Sequence, residues 1–182
     1  MTRVTTGTTK NKKLTMPKIP EFRAIQDVAK MAVFSILGDL VTDATCLDLF
    51  AGSGNMGIEA LSRGASYCDF VDSETESVNS MEKNLKNTNL VGKAEIHRQK
   101  AVKFVANTSK KYDLVFLDPF YKDVKHKYLI ALLQESLNPG GIVVFFHGDN
   151  LEMPSLLEKT AFQIIESRRY GKSHVDFLRI PS

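Results

Sequence analysis

The chain has 182 residues, a hydrophobic fraction of 43% and a net charge of only +3, which suits one globular domain with a real core and excludes a disordered or low-complexity chain. Its two cysteines, Cys46 and Cys68, sit inside apolar runs; they exclude a disulfide framework and read as buried free thiols of a reducing compartment. No apolar run approaches the ~18 residues of a membrane span and no secretory core opens the chain, so a soluble cytoplasmic protein is expected.

Charge is unevenly spread. Arg3, Lys10, Lys12, Lys13 and Lys18 precede the first acid, and "TTGTTKNKKL" offers turns between short β-prone stretches. Residues 1–24 are expected to form a basic hairpin arm able to meet a polyanion, and residues 25–182 the main domain. From Ile25 to Leu37 apolar residues recur at helical spacing up to Gly38. Short β-type runs then alternate with helical ones: "TCLDLF", 55–63, "YCDFVD", 75–87, "AEIHR", 99–107, "YDLVFLD", 125–137. Such alternation predicts a parallel sheet covered on both faces. "NPGG" at 138–141 reads as a turn before a fifth strand, "IVVFF". After a helix near 151–159, "FQIIESRRY" and "SHVDFLRI" are separated by Gly171-Lys172, too short for a parallel crossover, and predict a closing antiparallel hairpin.

Between the first strand and its helix lie Gly52, Gly54 and Gly57 in G-x-G-x-x-G spacing, which lets backbone approach a ligand. Asp72 ends the second strand about twenty residues on, where an acid can accept from a ribose diol. An adenosine-bearing ligand is the leading expectation. A dinucleotide fits the glycines, but Asp48 beside a pyrophosphate would repel it, whereas a sulfonium and an ammonium would be welcome there.

"DLFAGSGNMGIEALSRGA" resembles motif I of the S-adenosylmethionine-dependent methyltransferases, in the form carried by the RsmD family of 16S ribosomal RNA guanine-N2 methyltransferases. "RVTTGTTKNKKL", "DVAKMAVFSIL", "YDLVFLDPFY" and "RRYGKSHVDFLR" are similar to that family's arm, first helix, catalytic strand and closing hairpin. The resemblance implies a Rossmann-like class I α/β sheet, mostly parallel, of seven strands with the last antiparallel. It also implies that Asp48, Phe50, Ala51, Gly52, Ser53 and Gly54 surround the methionine portion and ribose, that Asp72 holds the ribose hydroxyls, and that Ser73 lies beside the adenine. Lys100, followed by Ala101, stands where the family has an aspartate that accepts from the adenine amine. A lysine only donates, which leaves the Gln99 carbonyl or the backbone for that role.

"FLDPFYKD" ends the fourth strand, which should neighbour the first. Methylating an exocyclic amine requires its lone pair to be turned toward the methyl group, which acceptors on its N–H bonds achieve. The Asp118 carboxylate, which also borders the cofactor, and the Pro119 carbonyl are candidate acceptors, and Tyr121 a ring on which a flipped base could stack. Phe120 replaces the family's second proline. Arg23-Ala24-Ile25 replaces Arg-Pro-Thr before the first helix, and a glutamate usual after the fifth strand is replaced within "FFH", where His147 reads as a strand-end histidine rather than a base.

The expected function is therefore methyl transfer from S-adenosylmethionine, without a metal, to N2 of a guanine in small-subunit ribosomal RNA or an assembling particle, with a monomer as the default. Arg3, Lys10, Lys12, Lys13 and Arg23 would grip phosphates. Two alternatives stand beside it: a catalytically silent RNA-binding or assembly module that kept the fold, and an amino-methyltransferase acting on adenine or protein glutamine.

Overall fold

The computed structural model of the protein describes residues 2–20, 25–119 and 126–181. The central strand β1 (Thr45–Leu49) is buried from Cys46 through Leu49, as a strand covered by helices on both sides must be. Around it pair β2 (Tyr67–Asp72), β3 (Ala94–Arg98), β4 (Tyr112–Leu117), β5 (Leu137–Gly148), β6 (Gln163–Tyr170) and β7 (Ser173–Arg179). The order is β3-β2-β1-β4-β5-β7-β6. All pairs from β3 to β5 are parallel, while β7 runs antiparallel to both β5 and β6.

Helices α1 (Asp27–Leu37), α2 (Asn55–Ser62) and α3 (Thr75–Thr88) cover one face, and α4 (Ala101–Asn107), α5 (His126–Leu133) and α6 (Met153–Leu157) the other. The chain winds outward from β1 to β3 and then returns to β4. The crevice between β1 and β4 is thus the point where strand order reverses, the usual ligand position in open α/β sheets.

Two sequence expectations change. The Asn138–Gly141 stretch is no separate turn but lies inside β5: Tyr112 pairs with Leu137 and Leu114 with Ile142, so four residues bulge opposite Asp113. Asp113 holds this bulge through Asn138 Nδ2 at 2.8 Å and also accepts from Thr45 N at 2.8 Å. The helix expected over 125–137 ends at Leu133 and continues as a 3₁₀ turn over Gln134–Ser136.

The arm is a hairpin with an antiparallel bridge between Arg3 and Lys13, and its Val4 and Leu14 are buried with the α1–α3 core. What it covers explains why it docks. Along α2, Asn55, Glu59 and Ser62 recur at helical spacing and are all buried, so this polar stripe needs partners. The arm supplies them. Glu59 accepts from Thr5 N at 2.8 Å, Thr5 Oγ1 at 2.7 Å and Thr6 N at 3.1 Å, and Ser62 Oγ donates to the Thr6 carbonyl at 2.7 Å. Fully buried Lys30 of α1 lies 3.1 Å from Glu59 and donates to the Arg3 carbonyl and to Asn55 Oδ1. Burial alone would raise the Glu59 carboxyl; Lys30 and the hydrogen bonds from Thr5 and Arg63 outweigh it and hold the group below its ordinary range.

On β2, buried Asp69 is similarly saturated, by His97 at 2.7 Å, Lys110 at 3.0 Å and the Tyr112 hydroxyl at 2.9 Å. Asp69, Glu95 and His97 have the spacing of metal ligands, but the Lys110 ammonium already bridges both carboxylates.

Removing one member of a buried ion pair strands the other and costs about 3–5 kcal/mol. Glu59→Ala is therefore expected to lower unfolding free energy by about that amount and to expose the arm to limited proteolysis. Denaturant titration and a cleavage time course measure both effects.

Candidate active site

The loop after β1 is shaped by backbone geometry that few residues tolerate. Phe50, Gly52 and Gly54 have φ of +57°, +57° and +76°; for Phe50 this is a strained left-handed conformation of the kind retained at functional loops. Gly57 meets a different constraint. A Cβ there would lie 2.4 Å from Phe70 Cε1 and 2.7 Å from Cys68 Sγ, so only glycine lets α2 approach β2 this closely. The Gly57 N–H donates to Asp48 Oδ2 at 2.8 Å, fixing the helix start to the end of β1.

Three carboxylates converge at the carboxyl ends of β1, β2 and β4. Asp48 is 4% exposed, and burial drives its carboxyl well above the ordinary range against the Gly57 hydrogen bond, with Asp118 and Asp72 raising it further. Asp72 is also raised by burial, although its two oxygens accept from Glu74 N and Gly52 N, each at 2.9 Å. Burial pushes Asp118 up to about 7. Among the described residues no basic group offsets Asp48 or Asp118. Such a set repels a phosphate and is completed by a cationic ligand. S-adenosylmethionine, with a sulfonium, an ammonium and a ribose diol, fits this donor set.

The sequence-derived candidates fall as follows. Asp48, Phe50, Ala51, Gly52, Ser53 and Gly54 form the β1 end and its loop, beside Asp72; Ser53 Oγ is buried without a hydrogen-bond partner among the described residues. Ser73 is exposed and donates to Glu74 at 3.2 Å. Gln99 N donates to the Asp72 carbonyl at 3.1 Å, which brings the start of α4 beside the loop. There Lys100 is exposed, its carbonyl taken by Phe104 N, and Ala101 is buried. Asp118 N reaches the Leu49 carbonyl at 3.5 Å, and Pro119 is buried. Phe120 and Tyr121 lie outside the described residues, as does Arg23. Lys10, Lys12 and Lys13 are exposed on the arm, and Arg3 pairs with Asp27 at 3.5 Å.

Sequence reading missed Asn84. From α3 its Oδ1 accepts from Thr15 N at 2.7 Å and its Nδ2 donates to the carbonyls of Thr15 and Ser53, both at 2.8 Å. It thereby ties the arm to the glycine loop. The one available signal was a polar residue on the apolar face of α3, among Met81 and Leu85.

A sheet of this order, with a glycine loop after β1 and an acid ending β2, is the class I methyltransferase architecture. Residues 2–179 match the family described as "Conserved hypothetical protein 95". The chain belongs to this family, the RsmD family. YlbH of Bacillus subtilis is 35% identical over 180 residues, covering 95% of this chain and 96% of that protein. Ribosomal RNA small subunit methyltransferase D of Buchnera aphidicola is 33% identical over 132 residues, 72% of this chain and 69% of its own length. Among solved structures, YhhF of Escherichia coli superposes with a TM-score of 0.86 at 25% identity, covering 97% of this chain and 96% of that one.

The raised Asp118 carboxyl has a definite consequence for stability. The folded protein keeps a proton that the unfolded chain releases near the ordinary value of about 3.9, so stability falls as pH rises between about 4 and 7. Asp118→Asn removes this penalty. Its thermal midpoint is expected to exceed that of the wild type at pH 8 and to converge with it near pH 4.

Proposed function

We propose that the protein transfers the methyl group of S-adenosylmethionine to the exocyclic N2 amine of a guanine in small-subunit ribosomal RNA. The observation that carries this reading is the set of carboxylates Asp48, Asp72 and Asp118 at neighbouring strand ends, with no compensating cation on Asp48 or Asp118 among the described residues, in a chain related to a ribosomal RNA small subunit methyltransferase D. Held by Asp48 and Asp72, S-adenosylmethionine would supply an activated methyl group to the amine nitrogen, leaving S-adenosylhomocysteine and a proton that passes to water.

The chain's own residues supply position and charge. Asp48 faces the cationic methionine portion, and Asp72 accepts from the ribose hydroxyls. Asp118 and the Pro119 carbonyl accept from the two N–H bonds of the target amine, so that its lone pair points at the methyl carbon. Tyr121 stacks on the extruded base. Exposed Arg3, Lys10, Lys12 and Lys13, together with Arg23, meet RNA phosphates, which makes affinity fall with salt. On this reading the protein meets ribosomal RNA or an assembling particle in the cytoplasm, and acts as a monomer. No helix among the described residues is long and apolar enough to cross a membrane.

Two measurements test the reading. Binding of a cation among raised carboxylates expels their protons, so calorimetry near pH 6.5 in buffers of different ionisation heat is expected to show proton release with S-adenosylmethionine; absence of binding favours the silent module. Tritiated-methyl transfer to small-subunit RNA, followed by digestion, is expected to label N2-methylguanosine. Label in N6-methyladenosine or in protein overturns the guanine assignment. Asp118→Ala is expected to lower transfer at least ~100-fold, the scale of losing one preorganised electrostatic group, while RNA affinity stays within about 2-fold because the phosphate contacts that dominate it lie elsewhere.

A further inference from the structure

Helix α3 carries a buried polar stripe. Ser77, Ser80, Asn84 and Thr88 recur at helical spacing, and none is more than 4% exposed. Buried polar side chains need partners, and those of this stripe lie in segments with different proposed duties. Near the helix start, Ser77 lies against the Asp72 carboxylate and opposes the rise that burial causes there. At the other end, the Thr88 hydroxyl donates to the Asn84 carbonyl at 2.8 Å and braces the last turn. Between them, Asn84 reaches out of the helix in two directions.

A side-chain amide has one acceptor oxygen and two N–H donors, and Asn84 uses all of them on backbone. Oδ1 takes the Thr15 N–H at 2.7 Å, while Nδ2 gives one hydrogen to the Thr15 carbonyl and one to the Ser53 carbonyl, each at 2.8 Å. Two carbonyls and one N–H admit a single orientation of the amide, because the flipped group would set donor against donor. The arm is gripped again one turn further on, where Asn87 Nδ2 donates to the Lys13 carbonyl at 3.0 Å. On the loop side, Gly52 next to Ser53 donates to Asp72 Oδ2 at 2.9 Å. Two asparagines of one helix thus join Lys13, proposed to meet phosphate, to the loop proposed to surround the cofactor.

We propose that Asn84 is a positioning residue that couples the two binding events of the reaction, so that RNA on the arm and S-adenosylmethionine at the glycine loop each tighten the site of the other. The inference rests on the RNA reading above. Ordering a segment costs conformational entropy, and a ligand that finds its segment already ordered binds more tightly. RNA held by Lys10, Lys12 and Lys13 fixes Thr15 and with it the amide of Asn84. The amide in turn fixes the Ser53 carbonyl and the loop on either side of it. Linkage makes the effect reciprocal. The methyl donor is then held longest when an acceptor is present.

The test uses the full chain, S-adenosylhomocysteine as a cofactor probe that does not turn over, and unmethylated small ribosomal subunits as the RNA probe. Bound subunits are expected to raise affinity for S-adenosylhomocysteine about 5-fold, the low end of common coupling factors, and the cofactor to raise affinity for subunits by the same factor. Asn84→Leu, similar in volume but without donors or acceptor, is expected to bring the factor below about 2-fold. An asparagine with a merely structural role would lower the thermal midpoint and weaken each ligand alone while leaving that ratio intact. A wild-type factor near 1, or a factor that survives Asn84→Leu, overturns the proposal. Should the leucine variant fail to fold, hydrogen exchange at the wild-type Thr15 amide decides: it is expected to slow about 5-fold when S-adenosylhomocysteine binds, and an unchanged rate overturns the coupling. Slowed Thr15 exchange in a protein that neither binds small subunits nor methylates their guanine overturns the proposed reaction and leaves the link between loop and arm standing.

Discussion

A carboxylate without access to water has to be neutralised where it sits, and Glu59 on α2 has no exposed side-chain surface. Lys30 from α1, Arg63 one turn along α2 and three donors from the arm meet on its two oxygens. The amino-terminal hairpin is therefore bound into the body by the polar stripe that it covers. The same helix starts at the glycine loop, so whatever locates α2 also locates the loop. Lys30 holds Asn55 at the first residue of α2, and Asn84 holds Ser53 on the other side while gripping Thr15 of the arm. Residues proposed to meet RNA thus share a hydrogen-bonded framework with residues proposed to meet the cofactor.

The carboxyl ends of the strands show the opposite treatment of charge. Glu59 is surrounded by donors, whereas buried Asp48 and half-buried Asp118 lie near each other with no cation among the described residues to offset them. Uncompensated charge of this kind costs stability, and the strained φ of Phe50 adds to the cost. Both suit the cationic ligand proposed above, whose binding would relieve repulsion built into the free protein. Glu59 and Asp48, both buried and on neighbouring elements, thus have contrasting chemistry, decided by which donors the surrounding chain brings to them.

Much of this was legible in the residues themselves. The β/α alternation, the glycine spacing and the two-residue link at Gly171-Lys172 are local signals, and local signals suffice for a parallel sheet with a closing hairpin. "NPGG" was misread because turn chemistry is also bulge chemistry: a bulge is recognised only against its partner strand, here by Asp113 reaching Asn138. His147 and Asp176 were unreadable as a pair for the same kind of reason. They are 29 residues apart, and their contact depends on the antiparallel register that sets Phe145 against Asp176 and His147 against His174.

By itself, the sequence determined the class of sheet, the glycine loop after its first strand and the acids that end its strands, because hydrophobic period, glycine placement and strand-end residues act within a few positions of one another. Only the tertiary structure decided what those acids experience and how the arm is held. Desolvation, repulsion between Asp48 and Asp118, and the partners of Glu59, Asn84 and His147 all arise between segments far apart in the chain. Such terms depend on distance in space, which no local pattern encodes.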